Sequence, residues 1–556
     1  MIDRNFNELI ETAIKNYWEY NSVKNYEGKS LKYREIALYI KYFHRLFNKL
    51  GIKKEDKIAL SGPNSANWAI TYLSVITYGA TVVPILKDFH MQDIEHILNH
   101  SDSKIFLCSK KLYRKLDEDD LHKLDLIISL DDFSLLSYKK KKNKKTFEKF
   151  YNNFRKEKDL DIFKNSFKLN TEIKNDNTAA IVYTSGTTGF SKGVMLDYNS
   201  FLANILYAQN NIELKERDKV LSFLPLAHAY GCAFDFLFPF TVGVEITFLS
   251  MIPSPKILLK AFNEVKPQLI NMVPLIIEKM YRKKIKPKLE SGVVGVLTNI
   301  PLIKKGVYKK IVKQMENAFG GEFINLVIGG APLDPEIEKF FKKIGLTFSV
   351  GYGMTECAPL IAYDQPQTHR TNSVGKVIDF LDLKIDSPDP QNQVGEIMVR
   401  GVNVMKGYYK NKKATEQIFT EDGWMRTGDL GILDDEGYLY IKGRRKNMIL
   451  GPSGQNIYPE EIENKLNSMD YIEESIVFGE NNYIYAVVYP DYEKLDEIDE
   501  PSIDPQEFLN EKMEENRKKI NKKLPNYSRL KEIKLHPESF EKTPTKKIKR
   551  YLYKNY

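Results

Sequence analysis

The sequence predicts an α/β protein. Residues 1–443 are expected to form a large N-terminal domain of layered parallel sheets and helices, with a small barrel-like β subdomain over 375–442. A hinge is expected at 444–447 and a small α+β C-terminal domain over 448–556. Three observations predict this. Short apolar runs alternate with amphipathic helical stretches through most of the N-terminal part, the pattern of sheets covered by helices. From Gly375 to Lys442 the texture changes to short strands and glycine turns. Beyond Gly443-Arg444-Arg445-Lys446 lies a compact final unit of ordinary domain size. A chain of 556 residues also exceeds what one hydrophobic core supports.

Taken in order, Lys57 to Ser61 reads as a strand and Asn67 to Tyr78 as a helix. The uncharged run Ile58 to Leu86 is long enough to cross a bilayer. It holds Gly62, Pro63, Asn64, Gly79 and Pro84, so a strand, turn and helix inside a large domain is expected and no transmembrane segment. The lysine cluster Lys139 to Lys145 is expected to be a solvated loop, with membrane-surface contact as the second reading. Ala179 to Val182 is a buried strand, Ile324 to Ile328 a strand, Pro335 to Ile344 a helix and Leu346 to Val350 a strand. Gly395 to Gly401 and Gly437 to Ile441 belong to the β-rich part. The last unit offers a helix over Pro459 to Ser468, strands over Glu474 to Phe478 and Tyr483 to Tyr489, and a lysine-rich tail.

Composition narrows the function. With 42% hydrophobic and 28% charged residues the chain is an ordinary globular protein. Cys108, Cys232 and Cys357 show neither metal spacing nor even pairing, which points to a reducing, cytoplasmic setting, with peripheral contact at the inner face of a membrane as its variant. The N-terminus opens without an apolar signal core. The net charge of +9 is spread among nearly as many acids as bases, so no nucleic-acid partner is expected.

The chemistry starts at Tyr183-Thr184-Ser185-Gly186-Thr187-Thr188-Gly189-Phe190-Ser191-Lys192-Gly193-Val194. Glycines let a backbone turn its N–H groups inward, and five Ser/Thr hydroxyls and one ammonium add donors, which suits a polyanion. The order Ser-Lys-Gly differs from the common Gly-Lys-Ser/Thr phosphate loop. The one Gly-Lys-Ser, at Gly28-Lys29-Ser30, lacks the upstream glycine and reads as a turn. Gly351-Tyr352-Gly353-Met354-Thr355-Glu356 follows the apolar end of a strand, and Thr427-Gly428-Asp429 precedes Gly443-Arg444. Gly329-Gly330-Ala331-Pro332-Leu333 offers small residues that let a flat group approach the backbone. Leu224-Pro225-Leu226-Ala227-His228-Ala229-Tyr230-Gly231 places a histidine that suits either a core or a site.

These segments, in this order, resemble the signatures of the adenylate-forming (AMP-binding) superfamily, which includes acyl-coenzyme A synthetases, luciferases and peptide-synthetase adenylation domains. Ser191 stands where that family usually has proline. The resemblance implies that Thr184, Ser185, Gly186, Thr187, Thr188, Gly189 and Lys192 hold the phosphates of ATP. It implies that Gly330, Ala331, Pro332, Tyr352 and Gly353 line the adenine, and that Thr355 bonds the α-phosphate. Glu356 would hold Mg²⁺, Asp429 and Arg444 the ribose, and His228 would stand at the carboxylate and acyl entrance. The tail Lys542-Thr543-Pro544-Thr545-Lys546-Lys547-Ile548-Lys549-Arg550 puts the adenylation lysine on Lys547, with Lys546 and Lys549 as alternatives. Lys446 matches the family's hinge, about which the small domain is mobile, and Gly454 would let a pantetheine arm pass.

The Thr-Pro-Thr form of the tail is most like long-chain fatty acyl-coenzyme A synthetases. The implied activity is ATP- and Mg²⁺-dependent activation of a fatty acid as its adenylate, then thioester formation with coenzyme A. An acyl carrier protein is the alternative acceptor, and a non-catalytic nucleotide- or lipid-binding scaffold is the reading from another class.

Overall fold

The computed structural model describes residues 2–156, 164–184, 191–287, 301–451, 455–481, 483–496, 504–543 and 547–553. Two large mixed sheets dominate it. One has nine strands, ordered 376–377, 360–364, 348–353, 325–329, 269–272, 219–222, 245–248, 21–25 and 31–32. The other has eight, ordered 407–408, 192–197, 178–184, 81–84, 57–61, 105–108, 126–129 and 135–138. Central strands pair in parallel and the outer ones antiparallel. Period-two alternation decides which face each residue serves. Leu269 and Val327 join a core shared with the eight-stranded sheet, while Ile270 and Leu326 face an outer layer with Phe262, Phe319 and Phe341.

Local chemistry explains the boundaries. Ser65 accepts a hydrogen bond from the Trp68 N–H and starts the helix Ala66–Tyr78, which Gly79 ends at φ +93°. That helix follows the strand Lys57–Ser61 and precedes Thr81–Pro84, so the uncharged run is folded into the interior. No helix among the described residues is long and apolar enough to cross a membrane. Asp334 caps Pro335–Ile344, whose Pro335 sits in the first turn and whose C-cap, Gly345, adopts φ +79°.

The lysine cluster departs from expectation. It opens a helix, Lys141–Lys156, rather than forming a loop. Phe147 and Phe150 are buried beneath it, and the Phe150 ring lies 3.8 Å from Tyr42. An apolar stripe at Phe147, Phe150 and Tyr151 outweighs the run of like charges, which the helix leaves exposed.

Residues 381–386, 395–401, 425–433 and 439–444 form a four-stranded antiparallel sheet. The neighbouring Gly407–Tyr408 pairs instead with the large eight-stranded sheet. Farther along, Ile472–Glu480, Tyr483–Pro490 and Leu530–Leu535 make a three-stranded sheet, backed by the helices Pro459–Asn467 and Pro505–Asn521 around Leu466, Val477, Ala486 and Ile520. The fold is the α/β architecture expected: layered sheets and helices, a small β sheet and a final α+β unit.

Candidate active site

One cleft of about 2840 Å³ lies where these parts meet. Thr184, Lys192, His228, Gly330, Ala331, Pro332, Tyr352, Gly353, Thr355, Glu356, Asp429, Arg444, Lys446 and Lys547 all line it. Ser185, Gly186, Thr187, Thr188, Gly189 and Gly454 lie outside the described residues.

Thr184 pairs across an antiparallel ladder with Lys192, so the serine- and threonine-rich segment joins two adjacent strands. Gly193 is required by packing. A Cβ there would come within 2.8 Å of Ile181 and 3.0 Å of the Tyr183 ring. The second signature ends the strand Phe348–Gly353. Gly353 lies against the Pro359 carbonyl, which a Cβ would meet at 2.1 Å, and Met354 N–H donates to the same oxygen at 2.8 Å. The chain then turns through Thr355–Cys357 with Thr355 buried. Glu356 accepts a 2.9 Å hydrogen bond from the Tyr408 hydroxyl.

Register places the next pair. Asp429 stands opposite Arg444 on neighbouring strands, and the Arg444 Nε donates to its Oδ1 at 2.7 Å. The Tyr352 hydroxyl donates to the other oxygen, Oδ2, at 2.6 Å. Burial pushes the Asp429 carboxyl up, while Arg444 and the Tyr352 bond oppose that shift. Burial and the adjacent Asp429 push the Tyr352 hydroxyl well above its usual range, so it stays a donor.

The histidine loop is held from two sides. Asn64 donates from Nδ2 to the Leu224 carbonyl at 2.7 Å and accepts from Leu226 N–H at 3.1 Å. Asp235, fully buried, accepts from Leu224 N–H at 3.4 Å and from Asn271 Nδ2 at 2.7 Å. Burial pushes the Asp235 carboxyl up to about 7, against those hydrogen bonds. Gly231 closes the loop, since a Cβ would meet the Pro225 carbonyl at 2.5 Å. His228 Nδ1 accepts from Tyr230 N–H at 3.3 Å. Burial, then the Lys547 charge, lower its pKa to about 4, so at neutral pH the ring is uncharged with its proton on Nε2.

The last component comes from the C-terminal tail. Lys542 and Ile548 form a bridge, Thr543 N–H donates to the Lys547 carbonyl at 2.8 Å, and Lys547 N–H donates to Thr543 Oγ1 at 3.2 Å. Arg550 anchors this hairpin through a two-pronged pair with the buried Glu463, one arm at 2.6 Å. Lys549 is bound to Glu541 and Lys542 to Glu474, whereas Lys547 points its charge at the cleft. Its pKa is lowered by burial in the cleft and by Arg444, against the pull of Asp429 and Glu356. Lys546 lies outside the described residues. Lys446 sits in the tight turn Arg445–Asn447, and Asn447 Nδ2 donates to Glu460 at 2.6 Å.

Sequence motifs do not mark Asn64, Asp235 or Tyr408. Each acts across a sequence separation that no local pattern records.

The sequence profile described as AMP-binding enzyme matches residues 10–409, well over half of the chain. The chain belongs to the AMP-binding, adenylate-forming enzyme family. Among its relatives are a chloroplastic long-chain-fatty-acid–acyl-carrier-protein ligase of Arabidopsis thaliana, 28% identical and covering 84% of this chain and 73% of that protein. Long-chain-fatty-acid–CoA ligase 5 of Rattus norvegicus is 25% identical over 95% of this chain and 83% of its own. A 2-succinylbenzoate–CoA ligase of Oceanobacillus iheyensis is 26% identical, covering 83% and 84%. The structure of the Bacillus subtilis o-succinylbenzoate coenzyme A synthetase with ATP and magnesium shares the fold, at a TM-score of 0.73 and 20% identity over 98% of both chains. The protein is an AMP-forming ligase of this family.

Proposed function

We propose that the protein activates a fatty acid, most suitably a long-chain one, as its acyl-adenylate and passes the acyl group to coenzyme A. The observation that carries this reading is the convergence, in one cleft, of Lys547 with Asp429, Glu356, Arg444 and the His228 loop from segments far apart in the chain. A carboxylate is a poor electrophile, so it must first gain a leaving group; joining it to the α-phosphate of ATP supplies one and releases pyrophosphate.

Each group has a chemical part in that step. The paired oxygens of Asp429, oriented by Tyr352 and Arg444, suit two ribose hydroxyls. The donor-rich segment from Thr184 to Lys192 suits the phosphates, and Thr355 the α-phosphate. Glu356 provides the carboxylate oxygen by which Mg²⁺ is commonly held beside phosphates, and Mg²⁺ when bound neutralises their charge. His228, uncharged and with its proton on Nε2, can donate to the acid without adding a second cation next to Lys547. Lys547 bridges carboxylate and phosphate oxygens as charge builds between them. The apolar side chains of Phe223, Leu224, Phe234, Val327 and Leu360 in the lining of the same cleft suit an alkyl chain. Rotation about Lys446 would then withdraw Lys547 and bring the segment containing Gly454 to the thioester step.

Both acceptors end in a pantetheine thiol, and the relative that loads an acyl carrier protein keeps the second reading open to test. The protein is incubated with ATP, Mg²⁺, labelled palmitate and either coenzyme A or acyl carrier protein. Thioester on coenzyme A is expected; thioester on the carrier alone overturns the choice of acceptor. Pyrophosphate release across acids from acetate to oleate, aryl acids included, tests the acyl class.

A further inference from the structure

None of the motifs read in the sequence above includes Met405–Tyr409, yet this segment ties the two halves of the nucleotide site together. Its backbone reaches both. Met405 N–H donates to the Glu356 carbonyl at 2.8 Å, Lys406 N–H to the Met195 carbonyl at 2.9 Å and Tyr409 N–H to the Gly193 carbonyl at 2.7 Å. Tyr408 pairs with Val194, two residues beyond Lys192. The short strand is therefore fastened at one end to the second signature and at the other to the phosphate hairpin.

The Tyr408 side chain repeats the connection. Its hydroxyl donates to Glu356 Oε1 at 2.9 Å, and the Lys192 ammonium lies 4.8 Å above its ring. The residue itself has little freedom. It is 6% exposed, Thr415 Oγ1 accepts its N–H at 2.9 Å, and Gly407, at φ +138°, lies so close to Thr415 that a Cβ would come within 2.7 Å of Cγ2. A glutamate side chain carries appreciable rotamer entropy, and a fixed phenol removes part of it before any ligand arrives.

We infer that Tyr408 is a positioning residue for the metal and phosphate groups: its hydroxyl presets the Glu356 carboxylate to receive a divalent cation, and its ring seats Lys192 beside the polyphosphate. This rests on the nucleotide-site reading given above. The test measures Mn²⁺ binding by electron paramagnetic resonance in the presence of α,β-methylene-ATP, and AMP binding without metal by calorimetry. Tyr408→Phe is expected to weaken Mn²⁺ about 10-fold, in the range of outer-shell ligand orienters. Its AMP affinity should stay at the wild-type value, because Asp429, Tyr352 and Arg444 are untouched. In a Glu356→Gln background the same change should cost nothing further.

Tyr408→Leu, which also removes the ring, should weaken α,β-methylene-ATP relative to AMP beyond the Phe variant. Wild-type Mn²⁺ affinity in Tyr408→Phe, or equal weakening of Mn²⁺ and AMP, overturns the inference. Failure of the wild-type protein to bind Mn²⁺ with the nucleotide would instead overturn the site reading on which it stands.

Discussion

Replacing Lys547 by alanine should cripple adenylate formation and spare thioester formation. The magnitude follows from where the lysine sits. A unit charge about 4 Å from a developing negative charge, at the effective dielectric of about 20 suited to a protein surface, contributes about 4 kcal/mol. Lys547 lines a wide cleft that admits solvent, and Arg444 and Lys446 remain beside it, so screening reduces this. About 3 kcal/mol is expected, or roughly 100-fold in rate, in line with the loss of one preorganised oxyanion donor. The assay separates the half-reactions: ATP–pyrophosphate exchange with a fatty acid reports the first, and coenzyme A thioester from synthetic acyl-adenylate the second. A loss of two orders of magnitude in exchange with little change in thioester formation is predicted. An equal loss in both would refute the division of labour assigned to the tail lysine, and an unchanged exchange rate would transfer the role to another cation.

Asp429→Ala removes the acceptor for Tyr352 and Arg444 and should weaken AMP about 10- to 100-fold, the range for charged hydrogen bonds; unchanged affinity by calorimetry would reject the ribose assignment. Arg550→Met strands the buried Glu463 and unmoors the Lys547 hairpin. It should cost about 2 to 3 kcal/mol, discounted for a guanidinium whose side chain is 26% exposed, and lower adenylation along with the thermal midpoint. His369, between Glu338 at 2.9 Å and Asp364 at 2.8 Å, gives a pH prediction. Burial alone would lower its pKa, but the bonds to Asp364 and Glu338 raise it to about 9 from 6.5. Its contribution to stability is therefore full below about pH 6.5 and lost as pH rises through about 9, up to roughly 3 kcal/mol. Urea midpoints of wild type and His369→Gln should differ at pH 6 and converge near pH 10; a constant gap would reject the ion-pair account.

Much of the fold was legible because its signals are local. Asp334-Pro335 and Gly345 bracket a helix by cap chemistry alone, and the apolar run 324–328 sits almost on the strand Asn325–Gly329. The lysine cluster misled because seven residues of mostly positive charge hid the stripe of Phe147, Phe150 and Tyr151, whose burial against Tyr42 decides for a helix. In the site, glycine-rich signatures could be read because close approach leaves no alternative residue, as at Gly353 against Pro359. Supporting groups could not. Asn64 meets Leu224 across 160 positions, and Asp235, in the helical segment Ala233–Leu237, meets Asn271 on the strand Leu269–Met272, contacts that no sequence period records. Tyr408 is of the same kind: its meaning comes from Glu356, 52 positions away.

The account stands on attack of a carboxylate oxygen at the α-phosphate of ATP. A fatty acid carrying ¹⁸O in both carboxylate positions, turned over with ATP, Mg²⁺ and coenzyme A, tests that event directly by mass spectrometry of the nucleotide. Transfer of one ¹⁸O to AMP, with none in pyrophosphate, is the result predicted. Label in inorganic phosphate with ADP formed, or unlabelled AMP alongside thioester, would contradict it.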